Sequence, residues 1–267
     1  MKALFRTTVA FALLLPPSAQ AHKAWLLPSS TVLSGKDLAV TVDAASSTDL
    51  FVFDHNPLRL DGLVVTAPDG SAVTPENSGT GKYRSTFDVP LKNPGTYRIT
   101  IGNDNLFASY KIKGETKRWR GTAEKLAEIP ADAEELNVTQ SQRRIETFVT
   151  AGKPDTAALK STGKGLELEA VTHPNDLVSG SEASFKLLLD GKPAANVKVE
   201  IIRGGNRYRN AVGEINATTD ESGTFKVTWP EAGMYWLEAT MEDDKTSIKQ
   251  AKQRRLSYVA VVEVLPQ

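Results

Sequence analysis

The 267-residue sequence contains no cysteine, which excludes disulfide bonds, thiolate metal sites, iron–sulfur clusters and cysteine nucleophiles. Histidine is also scarce, since the chain has only His22, His55 and His173. Basic and acidic residues balance at 32 each, so bulk charge gives no reason to expect a nucleic-acid partner. A metal site in this chain would therefore have to use nitrogen and oxygen donors.

Long apolar runs are missing as well, and the one near the N-terminus is short. It extends from Val9 to Leu15, follows the basic residues Lys2 and Arg6, and precedes the small-x-small triplet 19–21. This run is well below the ~20 residues that span a bilayer. The pattern predicts a secretory signal peptide over residues 1–21, cleaved after Ala21, which leaves a periplasmic protein without a membrane span.

The remaining chain shows the pattern of an all-β protein. Short segments rich in β-formers alternate with turns rich in glycine, proline, asparagine and aspartate. The chain is also long enough for two hydrophobic cores. We expect two tandem immunoglobulin-like β-sandwich domains, over residues 22–152 and 164–267, joined by a linker at 153–163. A helical insertion is predicted at about 121–136, where helix-forming residues precede Pro130.

A weak internal repeat supports two sandwiches. In each half a proline ends one predicted strand and a Gly-x-Tyr sequence opens the next, with Tyr97 in the first half and Tyr235 in the second. In immunoglobulin-like sandwiches a tyrosine at this position bonds back to the backbone a few residues upstream. Both tyrosines are therefore predicted to form such corners.

Signal-peptide cleavage would make His22 the N-terminal residue. A terminal histidine offers one metal ion both its amine and its imidazole Nδ1, and a second histidine can complete a three-nitrogen set. Such ligation suits Cu(II), Ni(II) and related ions. The alternative is that a histidine falls after the cleavage point by chance.

The two internal histidines each follow a predicted strand and closely precede a proline, so they are expected on strand-exit loops. We predict His22, His55 and His173 as metal ligands, with Asp54 and Asp176 as candidate partners for the second ring nitrogens. The competing interpretation is that the histidines are ordinary loop residues and the aspartates cap turns.

Motifs for catalysis are absent from the sequence. It has no Gly-x-Ser-x-Gly elbow, no His-Glu-x-x-His sequence, no phosphate-binding loop and no dinucleotide fingerprint. We therefore predict no catalytic residues and expect a protein that is not an enzyme. The basic clusters at 117–120 and 252–255 are best explained as solvated loop faces.

Several short segments resemble the DUF4198 family of bacterial periplasmic proteins. They are the sequence HKAWLLP starting at His22, LLLDGKP starting at Leu187, and TDESGTF starting at Thr219 before Trp229 and Pro230. Members are often described as periplasmic components of nickel or cobalt uptake systems and commonly begin with His-x-x-Trp. The resemblance implies tandem β-domains, a bound transition metal and an envelope metal transporter as partner.

Three functional hypotheses follow. The first is a periplasmic protein that captures nickel, cobalt or copper through its histidines and assists uptake or delivery. Its affinity should fall as the pH drops through the range where histidine ordinarily titrates, about 6.5, because ligation needs neutral nitrogens. The second is a metal-free structural or interaction module of the cell envelope. The third is a copper-dependent oxidative enzyme with a terminal histidine brace.

Overall fold

The computed structural model describes residues 22–267, and the predicted signal peptide lies outside these residues. The predicted all-β class is confirmed. In the first half the strands are β1 (Lys23–Pro28), β2 (Val32–Leu33), β3 (Ala39–Ser47), β4 (Asn56–Pro57), β5 (Leu63–Thr66), β6 (Ala72–Val73), β7 (Glu76–Thr80), β8 (Ser85–Pro90), β9 (Gly95–Ile112), β10 (Glu115–Gly121) and β11 (Glu134–Ala151). In the second half they are β12 (Leu166–Ala170), β13 (Glu182–Leu189), β14 (Lys192–Pro193), β15 (Lys198–Arg203), β16 (Ile215–Thr218), β17 (Thr224–Thr228), β18 (Gly233–Asp243) and β19 (Ala251–Val264).

The strands of residues 22–267 form three sheets. Strands β1, β3, β4, β7 and β8 form a five-stranded sheet, and β12, β13, β14 and β17 form a four-stranded sheet. Between them lies a ten-stranded central sheet in the order β16-β15-β18-β19-β11-β9-β5-β6, with β10 pairing with β9 and β2 with β11. Strands β11 and β19 pair in parallel, so hydrogen bonds join the two halves of the chain directly.

The two larger hydrophobic cores of the described residues occupy opposite faces of the central sheet. Successive side chains of a strand point to opposite faces, and the strands of this sheet follow that rule. Ile202 and Val259 belong to the core shared with the five-stranded sheet. Their neighbours Ile201 and Ala260 belong to the core shared with the four-stranded sheet. The fold is thus a three-layered β-sandwich in which one sheet serves both cores.

Both predicted tyrosine corners are present. The Tyr97 hydroxyl donates to the carbonyl oxygen of Asn93 at 2.9 Å, and the Tyr235 hydroxyl donates to that of Glu231 at 2.7 Å. Both rings are buried, and desolvation raises the pKa of both phenols above the usual value. The repeat read from the sequence therefore reflects a shared corner geometry in the two halves.

Within the described part of the chain, residues 22–267, helical structure is limited to short 3₁₀ segments. They span Ala123–Glu128, Ala157–Leu159 and Asn206–Tyr208. The first is a six-residue 3₁₀ segment that connects β10 to β11 inside the predicted insertion, and a helical insertion is not confirmed. The segment 153–163, predicted as a linker, packs against the body and buries Ala158 and Leu159. In the described range 22–267 no helix has the length and apolar character needed to cross a membrane.

Candidate metal centre

Strand β3 places His22 and His55 next to each other. His22 directly precedes β1, whose Lys23 pairs with Ser47 at the end of β3. His55 directly precedes β4, whose Asn56 pairs with Ser46 of the same strand. Because β1 and β4 occupy opposite edges of β3, the backbones of the two histidines lie about two strand spacings apart, or ~9.5 Å. Imidazole side chains can meet across that distance.

The two imidazole rings do meet. Their centroids are 3.8 Å apart and the ring planes are 14° from parallel, so the rings are stacked. Both residues are exposed to solvent. The nitrogen lone pairs of a stacked pair lie in two nearly parallel ring planes, so at least one ring must rotate before both can bind one ion. Exposure leaves room for that rotation.

The loop that carries His55 is held by aromatic packing. Phe51 and Phe53 contact the buried Trp25 edge to face, with ring centroids 5.6 and 6.2 Å from the tryptophan ring. Asp54 accepts a hydrogen bond from the hydroxyl of Ser47, which ties the loop to the end of β3. The structure thus shows Asp54, a predicted partner of a ligating histidine, anchoring the loop next to His55.

Residues of the second half of the chain contact the His55 loop and β1 and support this site. Phe51 has a φ of +61°, a conformation that is rare for a large side chain and needs support from its surroundings. Gly204 provides space for it, because a Cβ at that position would lie 2.8 Å from Cδ2 of Phe51. The indole nitrogen of Trp236 also donates to the carbonyl oxygen of Ala24 in β1 at 2.9 Å.

Charged groups lie beside the start of β1. The Lys23 ammonium is 4.0 Å from a carboxylate oxygen of Glu200 and 5.5 Å from the ring centroid of Trp236. Burial raises the pKa of the Glu238 carboxyl, an effect that the Arg143 guanidinium opposes. Burial of the Arg143 side chain in turn lowers the pKa of its guanidinium. The side chain of Lys23, the first residue of β1, therefore lies beside a carboxylate of the central sheet.

His173 lies in a different part of the molecule. Its Nδ1 accepts the backbone N–H of Asn175 at 3.1 Å, so Nε2 carries the proton, which it donates to the carbonyl oxygen of Asp155 at 2.8 Å. Nε2 is also 3.1 Å from the hydroxyl of Thr96. Asp176, its predicted partner, donates its backbone N–H to the carbonyl oxygen of His173. Both ring nitrogens of His173 are therefore engaged within the protein.

The location of His173 separates it from the pair. Its neighbour Thr96 bonds to the hydroxyl of Thr150, and the backbone N–H of Thr150 bonds to Thr31, which follows β1. His22 precedes β1, and the six residues of that strand extend about 20 Å. The structure thus brings His22 and His55 together and places His173 near the opposite end of β1.

Side chains alone do not form a complete metal site here. Across residues 22–267, no group of three or more histidine, aspartate or glutamate side chains is arranged to hold a metal ion. Two adjacent, exposed imidazoles remain, and a free amine on His22 would add a third nitrogen donor. This donor set fits Cu(II) or Ni(II).

Sequence reasoning did not find the residues that support the pair. Phe51 and Gly204 act through a contact between segments that are distant in the chain. Ser47 acts on Asp54, seven residues later, but no local sequence signal marks that contact. The positive φ of Phe51 in particular contradicts the ordinary preference of an aromatic residue.

The fold and site define a layered β-sandwich protein with an exposed histidine pair at its predicted mature N-terminus. The chain belongs to DUF4198, described as a domain of unknown function, whose model matches residues 19–243. No curated protein matches the chain.

Solved structures share little with this chain. The D0–D1 domain of intimin is 14% identical, with 90% of this chain and 97% of that one covered and a TM-score of 0.24. Domains 5–6 of the S-layer protein SbsC are 12% identical, with 92% of this chain and 99% of that one covered and a TM-score of 0.23. Escherichia coli alpha-2-macroglobulin activated by porcine elastase is 12% identical, with 92% of this chain and 31% of that one covered and a TM-score of 0.21. With TM-scores this low, none of these structures informs the function of the chain.

Proposed function

We propose that the mature, exported protein binds one divalent transition-metal ion, nickel, cobalt or copper, through His22 and His55. The observation that carries this proposal is the direct contact of the two imidazole rings, 3.8 Å between centroids, at the residue that would become the N-terminus. After cleavage His22 would supply its amine and Nδ1, and His55 one ring nitrogen. The rest of the proposal, delivery to an envelope transporter in the periplasm, is supported by the resemblance described above.

Contacts within the protein hold the loop that carries His55 in place before an ion binds. The edge-to-face packing of Phe51 and Phe53 on Trp25 fixes the position of the loop, and the Ser47–Asp54 hydrogen bond fixes its end. A ligand pair held by a rigid scaffold loses less conformational entropy on binding. The bound ion would be cargo for transfer, which fits a site at the surface with exposed ligands.

Titration of signal-cleaved protein with Ni(II), Co(II) and Cu(II) tests the site. We expect one ion per chain, and at least about tenfold weaker binding, or 1.4 kcal/mol, when the four residues Gly-Ser-Gly-Ser precede His22. That extension keeps the imidazole and moves the terminal amine too far along the chain to chelate an ion together with it. Unchanged affinity in the extended protein would exclude the terminal-histidine site.

A matched pair of variants separates the histidines. His55→Ala and His173→Gln each leave two histidines in the mature chain, so they carry the same number of imidazoles. We expect His55→Ala to weaken binding strongly and His173→Gln to retain wild-type affinity under conditions where both are folded. Equal affinities in the two variants contradict the proposal. The delivery role requires in addition that His22→Ala slows growth at limiting metal while the protein is still exported.

A further inference from the structure

A second candidate site lies on the other face of the central sheet. It is a cleft of about 330 Å³ between strands β5, β9 and β11 and the segment 162–166. This volume falls in the usual range for small-molecule sites, about 300–1,000 Å³. The four-stranded sheet covers the neighbouring strands of the same face, and the cleft begins where that cover ends.

The cleft is deep at Gly62 and Gly102 because these two neighbouring residues have no side chains to fill it. Gly102 lies between Gly62, whose carbonyl oxygen accepts its N–H, and Arg144, its partner on β11. A Cβ at Gly102 would meet nothing within 4 Å, which shows that its missing side chain leaves open space. The next row along the sheet consists of Val64 and Thr100.

The wall of the cleft is a rigid turn. The buried carboxylate of Glu167 accepts hydrogen bonds from the hydroxyl groups of Ser161 and Thr162 and from the backbone N–H groups of Thr162, Gly163 and Lys164, at 2.6–3.3 Å. Arg144 bridges this carboxylate, at 3.1 Å, to that of Glu146, at 3.4 Å. The wall is therefore tied to the floor before any ligand arrives.

The polar groups that remain available in the cleft are mainly donors. Both carboxylate oxygens of Asp104 accept from Gln140, and one also accepts from Gln142. Glu146 accepts from Thr100, Tyr258 and Arg144, so its oxygens are also occupied. By contrast, among residues 22–267 no carboxylate lies within 4 Å of the charged nitrogens of Arg98 or Lys164; Arg98 donates only to the carbonyl oxygen of Lys160.

We propose that this cleft binds a small organic carboxylate, with Arg98 and Lys164 donating to the carboxylate group. Guanidinium and carboxylate groups match each other geometrically and form charge-assisted hydrogen bonds. Val64 and Leu166 also line the cleft and offer apolar contact to a short carbon skeleton. This contact favours an organic anion over an inorganic one.

Calorimetric titration of metal-free protein with succinate, citrate and inorganic phosphate tests the proposal, in a buffer that contains no competing anion. We expect succinate or citrate to bind at least about tenfold more tightly than phosphate. Binding of phosphate as tight as that of both carboxylates overturns the proposal, because charge alone would then explain it. Absence of binding by all three probes at several millimolar overturns it as well.

Two pairs of variants locate the site. Gly102→Val fills the open space in β9 and should abolish binding, while Gly79→Val, also in a strand and with open space around its Cβ, should leave it unchanged. Arg98→Gln should weaken binding about tenfold or more, whereas Arg118→Gln removes the same charge from exposed β10 without effect. Wild-type affinity in Gly102→Val or Arg98→Gln contradicts the assignment, provided that circular dichroism shows native spectra.

Discussion

The three histidines of this protein illustrate how differently one residue type is used within a single chain. The rings of His22 and His55 are exposed and contact each other, whereas His173 bonds through both ring nitrogens to the backbone of Asn175 and Asp155. A buried hydrogen bond that loses one partner leaves the other unsatisfied, at a cost of about 1–3 kcal/mol. The histidines should therefore separate into a binding class and a structural class.

We expect His173→Gln to lower the free energy of unfolding by about 1–3 kcal/mol, because the flexible glutamine side chain does not hold its amide donor and acceptor where the two ring nitrogens lie. Urea denaturation monitored by circular dichroism measures this change. The control is His55→Ala, which removes an exposed side chain and should alter stability by no more than about 0.5 kcal/mol. A larger effect of His55→Ala than of His173→Gln would reverse the assignment of roles.

Glu167 gives stability a pH dependence. Burial raises the pKa of its carboxyl, but hydrogen bonds from Ser161 and Thr162 and the charge of Arg144 outweigh burial, so the pKa lies below the usual value. A lowered pKa in the folded state contributes stability above the unfolded pKa, about 4.3, and that contribution is lost as the pH falls through the folded pKa.

Glu167→Gln should therefore be less stable than wild type at neutral pH, by about 1.5–3 kcal/mol for the loss of hydrogen bonds to a charged group. The difference between the two proteins should shrink as the pH falls below about 4. Urea titrations of both proteins at neutral and acidic pH measure it. A difference that stays constant from neutral to acidic pH would show that the ionised carboxylate has no special role.

At the level of elements, the histidine loop between β3 and β4 depends on the segment that follows β15. Phe51 occupies the space next to Gly204, and Val212 and Met234 of the second half also pack against the core beneath the loop. The position of His55 is thus set in part by residues about 150 positions away in the chain. Changes on either side of this contact should affect the site.

Gly204→Val tests that dependence. The backbone at Gly204 does not have a positive φ, so the change acts by crowding Phe51 and the carbonyl oxygen of Met234, at 2.8 and 3.3 Å from the added Cβ. Overpacking of this kind costs about 1–3 kcal/mol and should displace the loop. We expect weaker metal binding together with lower stability, measured by calorimetry and urea denaturation. In Gly79→Val, where the space is open, both should stay at wild-type values; a Gly204→Val protein with native metal affinity would show that the loop is independent.

At the scale of the whole molecule, the two cores are coupled because both pack against the same central sheet. Ile201 and Ile202 are adjacent in β15 and fully buried, yet they belong to different cores. The same is true of Phe148 and Val149 in β11, which pairs in parallel with β19. If one core unfolded, one face of β11, β15 and β19 would be exposed to solvent, and the other core packs against the opposite face of these same strands.

We therefore expect Ile201→Ala and Ile202→Ala to destabilise the same unfolding transition, each by about 2–5 kcal/mol. Far-ultraviolet circular dichroism and tryptophan fluorescence should then follow coincident urea curves in both variants. Two separate transitions, with each variant moving only one of them, would show that the halves unfold independently. That result would support the division into domains at residues 153–163.

The sequence was sufficient for the features that depend on local pattern. Alternating β-formers and turn residues indicated an all-β chain, and the two Gly-x-Tyr sequences indicated tyrosine corners that the structure contains at Tyr97 and Tyr235. The predicted helical insertion is not confirmed. Residues 123–128 have good helix formers, but this six-residue segment between two strands forms only a short 3₁₀ helix, because α-helix nucleation is costly in so short a segment.

The sequence by itself determined which donors this protein possesses: three imidazoles, no thiolate and, after the predicted cleavage, an amine on His22. Only the tertiary structure decided which of these donors meet. Strand β3 brings His22 and His55 into contact through its register with β1 and β4, while hydrogen bonds hold His173 near the other end of β1. Register and sheet order result from packing between distant segments, which a local pattern of residues does not encode.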